Sequence, residues 1–191
     1  MAQVLEPPSD QATTPLLERE AQVAAIRALA DAARGGDGRF VVIEGSAGIG
    51  KSRLLGEARA IAGSAGMGVL SARGGEFEGK FAYGIVRQLF EPMLATAAPD
   101  LHAELFAGAA ALSEPLFAAS TLAAAPEGGE GSFAILHGLY WLAANAAFQQ
   151  PTLLAVDDLH WADTPSLRWL VFSTRRLEGP QKLTADWRSN S

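Results

Sequence analysis

The segment Gly45-Ser46-Ala47-Gly48-Ile49-Gly50-Lys51-Ser52 sets two glycines either side of four residues and follows the second with a lysine and a hydroxyl residue. That is the spacing of a phosphate-binding P-loop, in which glycines let backbone N–H groups approach an anion and a following helix start favours negative charge. In that pattern Lys51 would pair with the β- and γ-phosphates. Ser52 would place its hydroxyl on Mg²⁺, a hard cation that prefers oxygen ligands. A plain flexible turn would explain some of the glycines but not the complete pattern.

Leu153-Leu154-Ala155-Val156-Asp157-Asp158 is an apolar run that ends in two acids, the form of a Walker B segment. Taken alone it also reads as a strand entering a polar turn, and the upstream P-loop favours the metal-binding reading. Asp157 is expected to hold Mg²⁺ through water, and Asp158 stands where hydrolytic P-loop proteins use an acid to orient the attacking water. Asp163 reads as a helix cap in preference to a catalytic group. His160 and Trp161 could sense a γ-phosphate, but packing is the simpler role, and His102 and His137 read as structural. Glu76 and Glu78 could face a nucleotide from the neighbouring strand end, although a solvated loop is the favoured reading.

These residues need elements to position them. Phe40-Val41-Val42-Ile43 is a short β-branched run of the kind buried in a parallel sheet, and a helix is expected over Lys51–Ala62, with a second strand over Gly68–Ala72. Helical spacing predicts a helix over Glu20–Ala33, another over Tyr83–Leu94 whose end Pro92 marks, and helical patches over Leu101–Ala111. Pro126–Gly131 reads as a loop. Ser132 can cap a helix that shares a face between Phe133, Leu136, Tyr140, Ala143 and Ala147, and the run from Leu153 is the third strand. Asp163 or Thr164 then caps a helix reaching about Leu177, with Pro165 in its first turn. Strands alternating with helices give an α/β class.

Composition narrows the choice of function. The 191 residues are 49% hydrophobic and 19% charged, enough for one domain with a real core. A net charge of -6 without a basic cluster argues against direct DNA binding by this chain. The absence of cysteine excludes disulfides and thiolate metal sites. Residues 1–14 lack the pattern of a secretory signal and read as a loose leader, with the ordered chain expected from near Leu16. Glu104, Glu114 and Pro115 interrupt the most apolar region, so no membrane span is expected and the cytoplasm is the expected compartment.

With these motifs in view, the chain resembles the ATPase module of large LuxR-type bacterial transcription regulators, members of the STAND branch of AAA-related P-loop proteins. The likeness also rests on Leu17-Glu18-Arg19-Glu20, Arg73-Gly74-Gly75-Glu76-Phe77-Glu78, Arg87-Gln88-Leu89-Phe90-Glu91-Pro92, Leu136-His137-Gly138-Leu139-Tyr140-Trp141, Val156–Asp163 and Arg175–Gly179. It implies a three-layer αβα P-loop NTPase fold over residues 16–179, with residues 1–15 as leader. It further implies ATP or ADP bound with Mg²⁺, slow turnover if any, and a switch between inactive and active states that involves self-association or a partner protein. By the same resemblance, the segment around Leu17 to Glu20 would lie near the adenine, with Arg19 as its nucleotide-binding candidate.

The expected departure is at the end. Such relatives place another apolar strand between the P-loop strand and the Walker B strand, whereas residues 180–191 read as an atypical tail. The sheet is therefore expected to be incomplete, with backbone groups left unpaired at about 1–3 kcal/mol each. The chain is also expected to be a truncated product, without the sensor repeats and DNA-binding domain of the long regulators. The alternatives are a non-catalytic fragment or interaction module and, with less support, a small-molecule P-loop kinase.

Overall fold

The computed structural model describes residues 19–76, 81–118, 129–177 and 180–184. The leader, Leu17, Glu18, Glu78 and residues 185–191 of the expected tail lie outside the described residues. The elements are α1 Glu20–Arg34, β1 Phe40–Glu44, α2 Lys51–Ser64, β2 Gly68–Arg73, α3 Gly84–Thr96 and α4 Pro99–Leu105. A 3₁₀ segment Gly108–Phe117 follows, then α5 Gly129–Gln149, β3 Thr152–Asp157, a short 3₁₀ turn Leu159–Trp161, α6 Thr164–Thr174 and β4 Pro180–Thr184.

The strands form two parallel pairs, β1 with β4 and β2 with β3. Layers lie on both sides. On one, Ile26 of α1 packs with Leu54 and Ile61 of α2 and with Ile43 of β1. On the other, Leu70, Ala72, Leu154 and Val156 of β2 and β3 meet the larger core of α3, α4, α5 and α6, where Phe90 and Trp169 are fully buried with ring centroids 5.8 Å apart. The alternation of a strand then turns Ser71, Arg73, Ala155 and Asp157 to the α2 side. This is the αβα arrangement of a P-loop NTPase, with a sheet that remains incomplete because no ladder joins β3 to β4 among the described residues.

One expectation is overturned within the presumed tail. Pro180–Thr184 form a strand, paired in parallel with β1 from Phe40↔Pro180 to Glu44↔Thr184. Its sequence lacks the apolar run of a central strand, but ladder pairing satisfies backbone groups whatever the side chains, and a proline is tolerated at a strand's first residue. Pro92 lies inside α3 and does not end it. The helix runs on to Thr96, whose hydroxyl donates to the Pro92 and Met93 carbonyls at 3.2 and 3.1 Å. The helical patches near Leu101 resolve into α4 and the 3₁₀ segment, and α6 stops at Thr174.

Helix α5 starts at Gly129, so Ser132 is an interior residue and not its cap. Its buried line is Leu139, Leu142 and Ala146, while the expected face residues Phe133 and Ala147 are exposed. A helix apolar nearly all round gives no periodic signal to choose a face by. Asn145 on α5 closes the end of α4, donating to the Leu105 and Ala107 carbonyls at 3.0 and 3.2 Å.

Asp163 caps α6 as expected, accepting the Ser166 N–H at 2.9 Å, and it also serves α3. The same carboxylate accepts the Tyr83 N–H at 2.7 Å and the Ile85 N–H at 3.3 Å, while Ser166 Oγ accepts the Val86 N–H at 3.3 Å. Asp163 is 3% exposed, so these donors stand in for water. Asp163→Ala leaves three buried N–H groups unpaired, and urea unfolding should show a loss of about 3 kcal/mol or more. Asp163→Ser should recover only the share that belongs to the α6 cap.

Candidate functional site

The loop between β1 and α2 turns on glycines in the left-handed region, Gly48 at φ 76° and Gly50 at φ 87°. Gly50 is the residue that opens α2, so the N–H groups of the first turn point out of the helix end. Arg19 lies against this turn. Its guanidinium donates to the Ile49 carbonyl and, at 3.3 Å, to the Gly50 carbonyl, and it would stand 3.6 Å from a Cβ at Gly50. Arg19 thus braces the P-loop backbone, a contact that sequence reasoning missed.

Lys51 Nζ donates to the Gly45 carbonyl at 2.9 Å and the Ser46 carbonyl at 2.8 Å, which lays the ammonium across the loop. Ser52 Oγ donates to Asp157 Oδ1 at 3.2 Å, although 105 positions separate the two residues. The structure therefore brings together the two groups read as magnesium ligands. A hydroxyl beside a carboxylate offers only oxygen donors, the type that suits Mg²⁺, with Ser52 placed to bind the ion directly and Asp157 through water. Asp157 Oδ1 also accepts the Asp158 N–H at 3.0 Å, which steadies the carboxylate.

Asp158 takes a left-handed backbone, φ 48°, uncommon for a residue with a side chain. Its carboxylate is engaged by Arg73, whose Nε and Nη2 each lie 2.8 Å from Oδ2. The hydrogen bond and charge of Asp158, and then the charge of Asp157, hold the Arg73 guanidinium above its usual pKa. Gln88 of α3 pins the backbone of Arg73 as a neighbouring strand would. Its Oε1 accepts the Arg73 N–H at 2.9 Å, and its Nε2 donates to the Arg73 carbonyl at 3.2 Å.

Glu76 lines an open cleft of about 440 Å³ with Arg73, Gly74, Gly75, Gln88, Asp158 and Trp161. His160 and Trp161 are exposed, with rings 5.1 Å apart. His102 packs on Phe106 at 4.8 Å, and His137 accepts from Trp141 Nε1 at 3.2 Å, both structural roles. Arg73 had no assigned role in the sequence. The signal that could have found it is its place at the end of the second strand, in register with Asp157.

At Gly74 the loops after β2 and β3 touch. A Cβ there would lie 2.4 Å from the Asp158 carbonyl oxygen and 3.1 Å from Trp161 Cβ. Gly74→Ala should lower the unfolding free energy by about 1–3 kcal/mol in urea, because backbone must move. Gly56→Ala, in α2 with no atom within 4 Å of the added carbon, should raise it by about 0.5–1 kcal/mol.

No curated protein and no solved structure matches the chain. The family described as the AAA ATPase domain matches residues 15–184, a span that ends on the last residue of β4. The glycine turns, Lys51, Ser52 and Asp157 all lie within the matched residues. By the extent of that match, the chain belongs to the AAA ATPase domain family.

Proposed function

We propose that the chain is a nucleotide-binding switch module that binds Mg-ATP or Mg-ADP through its P-loop, residues 45–52, and the carboxylate of Asp157. The observation that carries this reading is the Ser52–Asp157 contact beside an ammonium lying across the glycine loop. Bound phosphates would replace the Gly45 and Ser46 carbonyls as partners of Lys51. Ser52 and Asp157 would hold Mg²⁺, which neutralises phosphate charge when present. Asp158 remains the candidate for orienting water in hydrolysis. Arg19, through its contacts with Ile49 and Gly50, would shape the loop from behind. The motifs shared with large LuxR-type regulators support a role as the switch of such a regulator, acting through self-association or a partner protein in the cytoplasm.

A second reading is favoured by one observation. Asp158 is engaged by Arg73, which suits a module that binds nucleotide and signals without appreciable turnover.

Thermal unfolding with and without Mg-ATP tests the proposal. Ligand at a hundred times its Kd should stabilise the chain by about 2.7 kcal/mol. Lys51→Ala should keep the helical circular dichroism and lose the shift, while Asp157→Asn should retain nucleotide binding and lose most of its dependence on Mg²⁺. A full shift in Lys51→Ala would refute the assignment of the site.

A further inference from the structure

Strand β2 has one ladder, to β3, and no strand lies on its other edge among the described residues. A parallel ladder uses alternate residues. The N–H groups of Gly68 and Gly74 donate to the Pro151 and Asp157 carbonyls at 2.9 and 3.0 Å, so Gly68, Leu70 and Ala72 face β3. Val69, Ser71 and Arg73 therefore turn their backbone groups to the free edge. At Arg73 the side-chain amide of Gln88 takes the place of a partner peptide unit. At Val69 and Ser71 nothing does so among the described residues, which leaves each with an N–H and a C=O to offer a short added strand. The edge also lacks the usual guards, since Gly68–Arg73 contains neither proline nor lysine.

Arg59 of α2 sets the chemistry of the occupant. A cleft of about 330 Å³ opens between α2 and this edge, lined by Arg59, Ser71 and Gln88 and reaching Asp157. Ser71 is exposed in it, although its side chain points to the face that α2 packs on. Arg59 forms no ion pair among the described residues, and its Nε is shielded from water without a hydrogen-bond partner. A guanidinium in that state favours a carboxylate, which it binds through paired N–H groups. Twofold pairing of β2 with a second copy would instead gather Arg59 and Arg73 of both chains on one face, a concentration of like charge.

We propose that the free edge of β2 docks an acidic extended segment of a partner protein, added as an antiparallel strand whose acidic residue lies opposite Ser71 and pairs with Arg59. Antiparallel is the stabler pairing for a free segment. The residue opposite Ser71 exchanges both backbone bonds with it and projects its side chain to the α2 side, into the cleft. Gln88 ends the added strand by occupying the next outward position. Asp157 lies two strand spacings across and two residues along from that acid, about 12 Å away, where screening leaves little repulsion. Docking of this kind does not require nucleotide.

The test is fluorescence anisotropy with a labelled seven-residue peptide that has glutamate at its centre, threonine at the second and sixth positions and valine elsewhere. The wild-type chain should bind it about tenfold or more tightly than the same peptide with a central glutamine, and Arg59→Gln should bind the two within about twofold of each other. Methylating the backbone nitrogen of the glutamate, whose N–H faces β2, should weaken binding by about tenfold or more. Methylation at the neighbouring valine, whose N–H faces away, should change it by less than about twofold. The methylated peptides leave the protein untouched, so this comparison stands even if a variant misfolds. No binding of the glutamate peptide, a glutamate preference that survives in Arg59→Gln, or equal effects of the two methylations would overturn the proposal. A wild-type dimer in light scattering that Ser71→Pro dissociates would assign the edge to a second copy and overturn it as well.

Discussion

A buried carboxylate without a cation is expensive unless N–H donors surround it, and Asp163 draws those donors from two helices at once. That requirement fixes where α3 and α6 begin relative to one another. From the fixed start of α3, Gln88 lies just over one helical turn further on, facing the end of β2. Gln88 in turn holds Arg73, and Arg73 engages Asp158. A structural cap in the core is thus connected by named hydrogen bonds to the acids at the site. The segment from Asp157 to Asp163 carries the carboxylate proposed to hold Mg²⁺, the residue with the left-handed backbone and the cap within a single connection.

Each group expected to meet nucleotide already has an internal partner. Lys51 rests on loop carbonyls, Ser52 on Asp157, and Asp158 on Arg73. Ligand binding would therefore exchange partners and would not fill vacant positions. Such an exchange forgoes part of the gross interaction energy, since contacts must be broken before new ones form. In return, Lys51, Ser52 and Asp158 hold defined positions in the unliganded state, and a switch needs two defined states.

The P-loop was legible in the sequence because its chemistry requires adjacent residues: Gly48 and Gly50 for backbone angles, Lys51 and Ser52 for charge and hydroxyl. Asp157 was legible for a similar reason, as the polar end of an apolar run. Arg73 was not, because its partner depends on which strands are neighbours and in what register. Nor was β4, whose Gln181 and Lys182 carry no strand signal and whose pairing comes from the free edge of β1. The buried line of α5 escaped for the opposite reason, an excess of apolar residues that leaves many faces equally plausible. Asp163 was readable as one cap, but its second helix is far away in the chain.

The pairing of β1 with β4 also orders events in time. Phe40 has its ladder partner at Pro180, so the strand that carries the P-loop stays unmatched until residue 180 has been made, while α3, α5 and α6 can already gather. Contacts of such long sequence separation are slow to form because loop closure must come first. The nucleotide loop would therefore be among the last parts of the domain to become rigid. Until then, that edge of β1 is open to pairing with other chains, and docking of β4 covers it.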